Sequence, residues 1–343
     1  MTRYTLREIS DKAGVSISTV SRVLSGKSLV SDDSRLKVHT AIEELRKETQ
    51  LSVPSPLTGG LIGFFIPAPM SYIPTQTLVN QTLTEAIREH AQRHGCNLVF
   101  GTWSAGSGPN TPGDQLLREN RLSGAIFART RVGDEQRLCQ PELGFELPIV
   151  MINRMVQAEG LMCVGVKHEM VGRIAARHLL DLGHTAIGLI GGPQDTQSFA
   201  GRARGFRDEL QQAHMEPRSD WIVTPNLDPD AVREAVGPIL DAKKRPTAIC
   251  AGNDRMALVV LQEAQKRGIS IPGELSVIGV DGLIEGELAV PALTTIAMPW
   301  ATMGRLAVDL IAQSVLCPEI SGATVTLDVS LLIRESTARP RGE

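Results

Sequence analysis

Thr5-Leu6-Arg7-Glu8-Ile9-Ser10-Asp11-Lys12-Ala13-Gly14-Val15-Ser16-Ile17-Ser18-Thr19-Val20-Ser21-Arg22-Val23-Leu24-Ser25-Gly26 is the stretch that decides the fold. Leu6, Ile9 and Ala13 recur at helical spacing, Thr5 stands where an N-cap is wanted, and Gly14 stops the run. Val15-Ser16-Ile17 then makes a short turn, and Ser18 to Gly26 reads as a second helix. A third begins after Ser31, whose hydroxyl can cap it, and carries Leu36, Val38, Ile42 and Leu45 along its apolar side. Two short helices joined by a turn of a few residues, with a third packed across them, make an all-α helix-turn-helix unit.

Working outward, the chain has 343 residues. Single cores stop growing near ~250–300 residues, so two or more domains are expected. At 42% hydrophobic and 21% charged, this is an ordinary globular composition. A net charge of −3 excludes a general polyanion coat but not a local DNA-reading module, and the first fifty residues hold nine basic against seven acidic side chains. No run approaches the ~18 apolar residues that a membrane helix needs. Met1 to Glu8 is polar with no apolar run behind it, so neither a secretory signal nor a membrane partner is expected, and the reading is cytoplasmic. The five cysteines are scattered without a Cys-x-x-Cys pair, so they are read as small buried hydrophobes rather than disulfide or zinc ligands. Aromatics at 3% argue against a stacking platform for single strands.

From Leu61 the pattern changes to strand–helix alternation. Short apolar runs at 61–66, 97–100, 124–128 and 148–152 form one series, separated by helical stretches such as 84–94. Runs at 186–190, 221–224, 248–251 and 275–280 form a second, with helices near 172–182, 201–212 and 254–267. Continuous apolar strands between helices mean parallel sheets covered on both faces. Two series in tandem mean two α/β lobes, and ligands of such sheets bind beyond the carboxyl ends of the strands.

The segment Ile9 to Gly26, with its Ala-Gly-Val-Ser turn and Thr-Val-Ser-Arg-Val-Leu helix, resembles the headpiece of the LacI/GalR family of bacterial repressors. The resemblance continues through Leu182-Gly183-His184, Arg204-Gly205-Phe206, Asn253-Asp254, Val277-Ile278-Gly279-Val280-Asp281, Pro291 to Ile296 and Leu332-Ile333-Arg334-Glu335-Ser336-Thr337. It implies a helix-turn-helix headpiece at 1–48, a hinge at 49–60 and a periplasmic-binding-protein-like core of two parallel-sheet lobes at 61–343. The N-lobe is expected at about 61–160 and 300–320, and the C-lobe at about 161–292 and 322–343. Helix 301–316 is expected to return to the first lobe. The resemblance implies the same return for the terminal strand 325–334, although it falls within the C-lobe segment. The implied function is a transcriptional regulator, a repressor first of all. It would bind operator double-stranded DNA as a homodimer under the control of a small-molecule effector, a sugar or sugar-like metabolite. The chain ends without a leucine heptad, so no helix-bundle tetramer is expected.

Recognition helices present their N-terminal residues to base edges. Ile17, Ser18 and Arg22 share that face, while Val20 and Val23 point inward. Arg22 can donate a bidentate pair to guanine, about 1–3 kcal/mol of discrimination. Thr5, Ser16, Thr19 and Ser21 suit phosphate oxygens. The hinge departs from the family's pattern: Pro54, Pro56 and the Gly59-Gly60 pair oppose a helix, and Leu57 is the candidate minor-groove wedge. In the core, Asn153, Asn253 and Asp281 follow strands, and Arg202 begins a helix. They suit bidentate contacts with vicinal hydroxyls or a carboxylate. The resemblance adds effector contacts at Val79, Asn80, Ser198 and Leu227. Asp254 is read either as a ligand contact or as an acid offsetting a helix dipole. Tyr72, Trp103, Phe199 and Trp300 are candidate stacking faces. His90 and His94 stand i, i+4, but on a helix face read as solvated, so no metal is expected. His168 replaces the family's common Asp and is given no role. No phosphate-binding loop or nucleophile elbow occurs, so neither a cofactor nor an enzyme is expected. A transport-type solute-binding protein fits the cleft but not the headpiece.

Overall fold

The computed structural model describes residues 5–24, 30–31, 33–41, 55–67, 77–103, 112–119, 121–139, 147–216 and 218–341. The chain divides into two compact units, Met1–Ser55 and Pro56–Glu343. In the first, α1 (Leu6–Ala13) and α2 (Ile17–Leu24) are followed by α3 over residues 33–41. Ile9, Val20 and Val38 are fully buried there, with Val23 beside them. The expected apolar side of α3 is corrected at Leu36, which is 68% exposed. Two residues from Val38 is about 200° around a helix, so both cannot face the core. Ile42 and Leu45 lie outside the described residues.

The second unit holds, among its described residues, two six-stranded sheets. The first contains β1 (Leu61–Pro67), β2 (Asn97–Trp103), β3 (Gly124–Ala128), β4 (Ile149–Ile152), β5 (Leu161–Val166) and β11 (Thr324–Leu327), in the order β11-β5-β4-β3-β1-β2. The second contains β6 (Ile187–Ile190), β7 (Ile222–Val223), β8 (Ala248–Ala251), β9 (Ser276–Asp281), β10 (Thr294–Ala297) and β12 (Ser330–Leu332), in the order β12-β10-β9-β8-β6-β7. Every pairing is parallel except β10 with β12. Buried apolar strands such as β3, β4 and β5 account for this, since helices cover both faces.

The covering helices are α4 (Thr77–Arg93), α5 (Pro112–Arg118), α6 (Asp134–Leu138), α7 (His168–Asp181), α8 (Gln197–Gln212), α9 (Pro229–Asp241), α10 (Asp254–Lys266), α11 (Ile284–Glu287) and α12 (Trp300–Leu316). α12 packs on α4 and on the first sheet, as expected for 301–316. α7 crosses from the first sheet to the second and packs closely on α8. A Cβ at Gly205 would lie 1.9 Å from the Glu169 carbonyl oxygen, and one at Gly172 2.0 Å from that of Arg202.

Three boundaries differ from the sequence reading. β5, placed in the C-lobe by the 161 boundary, is hydrogen-bonded between β4 and β11 in the first sheet. The terminal run divides, with β11 in the first sheet and β12 in the second. Of the segment 49–60 read as a hinge, Leu57 to Gly60 is instead bonded into the core unit, and 49–54 lie outside the described residues: Gly59 N–H donates to Gly95 O at 2.8 Å and Asn97 N–H to Gly60 O at 3.0 Å. Leu57 is only 1% exposed, within the main hydrophobic cluster, so the minor-groove wedge assigned to it is corrected: its side chain fills the core. Among the described residues, no helix is long and apolar enough to cross a membrane. Cys96, Cys163 and Cys250 are buried as expected, whereas Cys139 and Cys317 are exposed.

Candidate functional site

The headpiece face is built from caps. Thr5 opens α1 with a capping box: Glu8 N–H donates to Thr5 Oγ1 at 3.2 Å, while the Glu8 carboxylate accepts from Thr5 N–H at 2.7 Å and from its hydroxyl at 2.9 Å. Gly14, at φ 63°, closes that helix in the left-handed region. The Ser10 hydroxyl then donates to Val15 O at 2.6 Å, fixing the turn. Ser16 caps α2, accepting Thr19 N–H at 3.2 Å, so this helix starts one residue earlier than the sequence reading placed it. The Ser16 hydroxyl also lies 2.8 Å from those of Ser18 and Thr19, a cluster at the positive end of α2. Ile17, Ser18, Ser21 and Arg22 are all exposed along one arc of α2, and Val20 and Val23 are buried on the other. Ile17 is 46% exposed, an uncovered apolar side chain on an otherwise polar face.

In the core unit, polar side chains collect where strands of both sheets end. Asn153, at φ 59°, follows β4, and its carbonyl accepts from His168 Nε2 at 3.2 Å. A carbonyl only accepts, so His168 carries its proton on Nε2, and the lone pair of Nδ1 is buried with no partner. Burial and the nearby Arg202 hold His168 down at about 3, hence neutral. Arg202 on α8 donates to Gly252 O at 2.6 Å and, at 3.4 Å, to Asp281 Oδ1, with its guanidinium 5.5 Å from the Phe199 ring centre. Asp281 ends β9 with φ 131°, and burial raises its carboxyl to about 7 against the pull of Arg202. Asn253 caps α10, accepting Met256 N–H at 2.9 Å. Asp254 is fully buried and accepts from Leu283 N–H at 2.7 Å and from the Thr295 hydroxyl at 2.5 Å. Its Oδ2 thus holds the loop after β9 and its Oδ1 the strand β10.

Of the residues singled out from sequence, Asn153, Asn253 and Asp281 stand at these strand and helix ends, whereas Arg202, read as beginning its helix, lies in the second turn of α8, which starts at Gln197. Ser198 is half-buried on the first turn of α8, and Leu227 packs against the second sheet's core. The side chains of Val79 and Asn80, on α4, lie outside the described residues, as does Tyr72. Trp103 is corrected as a stacking face: it is 1% exposed, packed edge-on against Phe127. Trp300 opens α12 half-buried, and its buried Nε1 has no partner. Sequence reasoning missed Arg129 and Thr130, which follow β3 as Asn153 follows β4, and it gave His168 no role. Arg129 has a φ of 63°, and burial lowers its pKa to about 10, with Asp281 opposing and Arg255 adding to the shift.

Loops of the two lobes also touch. The Gln197 side-chain amide donates to Met155 O at 2.8 Å and accepts Met155 N–H at 2.7 Å. Val132 N–H donates to Asp195 O at 3.3 Å, and Arg131 lies 3.8 Å from the Asp195 carboxylate. Elsewhere, His90 and His94 do not face open solvent: both Nε2 atoms meet Asp309 Oδ1 of α12, at 2.7 and 3.1 Å.

Comparison with known proteins places this geometry. Residues 5–46 match the family model for bacterial regulatory proteins, lacI family, and residues 176–337 a periplasmic binding protein-like domain. The HTH-type transcriptional regulator DegA of Bacillus subtilis (strain 168) is 30% identical over 98% of both chains. Among solved structures, a complex of the transcriptional regulator CelR with cellobiose superimposes with TM-score 0.71 at 25% identity, covering 97% of this chain and 100% of that one. The lac repressor dimer bound to operator and the anti-inducer ONPF gives 0.70 at 25% identity, covering 98% and 99%.

Proposed function

Because the chain belongs to the lacI family of bacterial regulatory proteins, we propose that it is a repressor that binds operator duplex as a homodimer under the control of a sugar-like effector held between its two core lobes. The observation that carries this reading is the exposed arc of α2, where Ile17, Ser18 and Arg22 project together from a helix whose other side is buried. In this reading Arg22 takes a guanine edge, Ile17 meets a thymine methyl and Ser18 donates or accepts at a base. Ser16, Thr19 and Ser21 meet phosphates at the helix N-terminus, and Thr5 joins them when its hydroxyl leaves Glu8. Effector contacts fall to Asn153, Ser198, Arg202, Leu227, Asn253 and Asp281, with Val79 and Asn80 from α4. Action on DNA places the protein in the cytoplasm.

Footprinting across the promoter of the chain's own gene and its neighbours tests this. The expected outcome is a protected pseudo-palindrome, with Arg22→Ala lowering specific affinity ~5- to 150-fold, the equivalent of about 1–3 kcal/mol. Binding to unrelated duplex, which rests on phosphate contacts, stays and remains salt-dependent. A wild-type chain that coats all sequences alike, or an Arg22→Ala variant with unchanged preference, overturns the reading.

A further inference from the structure

The groups at the strand ends, three guanidiniums (Arg129, Arg202 and Arg255) and three carboxylates (Asp254, Asp281 and Glu285), match in number but are unevenly paired. Asp254 is satisfied by Leu283 N–H and the Thr295 hydroxyl, and Glu285 lies 3.6 Å from Arg255. That leaves Asp281 facing Arg202 directly, with Arg255 and Arg129 also in its field. Arg202 spends one nitrogen on Gly252 O, and its Nε–H is buried without a partner, as is that of Arg255. Arg129 is half-buried and, among the described residues, has neither a hydrogen bond nor an ion pair. Its φ of 63° is a conformation that non-glycine residues adopt uncommonly, and such positions persist where function holds them. An unpaired guanidinium out of bulk water is unfavourable, and the usual remedy is a bidentate oxyanion. Beside these donors stand unsatisfied acceptors, Asn153 Oδ1 and His168 Nδ1, which suit ligand hydroxyls.

We propose that the effector is a hydroxylated oxyanion, a sugar acid or a sugar phosphate, whose acid group is held by Arg129. This rests on the effector cleft assigned above and adds the ligand's charge. The test is thermal denaturation of the full chain with matched neutral and acidic probes: glucose against glucuronate, galactose against galacturonate, glucose against glucose 6-phosphate. Inorganic phosphate is titrated at constant ionic strength as a bare oxyanion. The expected result is a stabilisation by an acidic member that its neutral partner lacks, cut at least tenfold in apparent affinity by Arg129→Gln and partly restored by Arg129→Lys. Preference for glucuronate or galacturonate points to a carboxylate source, and preference for the 6-phosphate to a phosphate ester. Equal stabilisation by both members of a pair, an acid preference that survives Arg129→Gln, or no shift from any oxyanion overturns the proposal. A neutral sugar whose stabilisation is lost in Asp281→Asn leaves the cleft reading standing while this one falls.

A separate observation carries a second proposal. His90 and His94, one turn apart on α4, and Asp309 from α12 bring their ligand atoms within 4.8 Å of one another. Tetrahedral ligands at ~2.0–2.2 Å from a metal lie about 3.3 Å apart, so the observed 2.7 and 3.1 Å Nε2–Oδ1 separations need only a slight opening to admit an ion. The histidine side chains are 16% and 22% exposed and Asp309 43%, which leaves a solvent-facing fourth position. The geometry points to a divalent transition-metal site, such as Zn²⁺ or Ni²⁺, that ties α4 to α12. Calorimetric titration of the full chain with Ni²⁺ should show one site per chain, lost in His94→Gln and in Asp309→Asn. No binding, or binding retained in the double variant His90→Gln, His94→Gln, overturns it.

Discussion

Asp281 sets the electrostatics of the cleft, and its titration gives a signed prediction. Its neighbours are Arg202, Arg255 and Arg129 on the favourable side and Asp254 on the unfavourable one, but burial outweighs them and holds the carboxyl at about 7. The folded pKa is thus above the ordinary value near ~4, so the native state keeps a proton that the unfolded chain releases. The Asp281 contribution to stability is full below about pH 4 and is lost as pH rises through about 7. His168 runs the other way: held at about 3, it contributes above about pH 6.5 and loses that contribution as pH falls. The two slopes oppose each other below about pH 6.5, and that of Asp281 stands alone just above. Asp281→Asn should therefore gain on the wild type between pH 5.5 and pH 8, by at most about 1.4 kcal/mol per unit within the window. Urea denaturation at pH 5.5, 6.5 and 8 measures the gap. A gap that does not change with pH would mean that Arg202 keeps Asp281 ionised throughout.

The contact between α7 and α8 decides where Arg202 and His168 stand. With no room for a Cβ at Gly205, alanine there must push α8 off α7, and overpacking of this kind costs about 1–3 kcal/mol. Gly205→Ala should lower the midpoint of unfolding of the core and weaken any cleft ligand. Meanwhile the affinity of the ligand-free chain for non-specific duplex, which is set by the headpiece, should hold. Calorimetry with a ligand titration checks both, and unchanged ligand affinity would show that the α7–α8 spacing does not govern ligand contact by Arg202. At this scale much was legible in the sequence, because the signals are local. The Thr5 cap, the Gly14 stop and the apolar strands each speak within a few residues. So did Asn153, Asn253 and Asp281, since a polar residue just past an apolar run marks a strand's carboxyl end. Arg129 carries the same mark after 124–128 and could have been found by it. Other features were hidden because they depend on distant partners. His168 is fixed by a carbonyl fifteen residues away in sequence, and nothing local tells β11 and β12 that they join different sheets. Leu57 was misread because its flanking prolines signal a linker, whereas the strand and helix that bury it follow later in the chain.

For the molecule as a whole, control requires that a ligand bind one arrangement of the lobes better than another, since equal affinity shifts nothing. The hydrogen bonds that join the two lobes come from the chain after β3 and β4 and from residues at and just before the start of α8. Gln197 grips the Met155 backbone as donor and acceptor, and Val132 meets Asp195. Arg131 and Asp195 are both exposed, so that ion pair adds little. The Gln197 pair is the stronger latch: two hydrogen bonds worth about 0.5–1.5 kcal/mol each bias the lobes toward closure. Gln197→Ala removes both while leaving the strand-end groups in place. If the effector acts by holding the lobes together, the variant should bind it ~5- to 150-fold more weakly, with small-angle scattering showing a larger radius of gyration without ligand. Linkage makes the effect reciprocal: whatever operator affinity the effector changes in the wild type, the ligand-free variant should already be displaced toward the open-state value. A variant with normal effector affinity but altered operator affinity would separate the latch from the ligand. A variant unchanged in both would show that closure is set by the continuous core around α7 rather than by the loops.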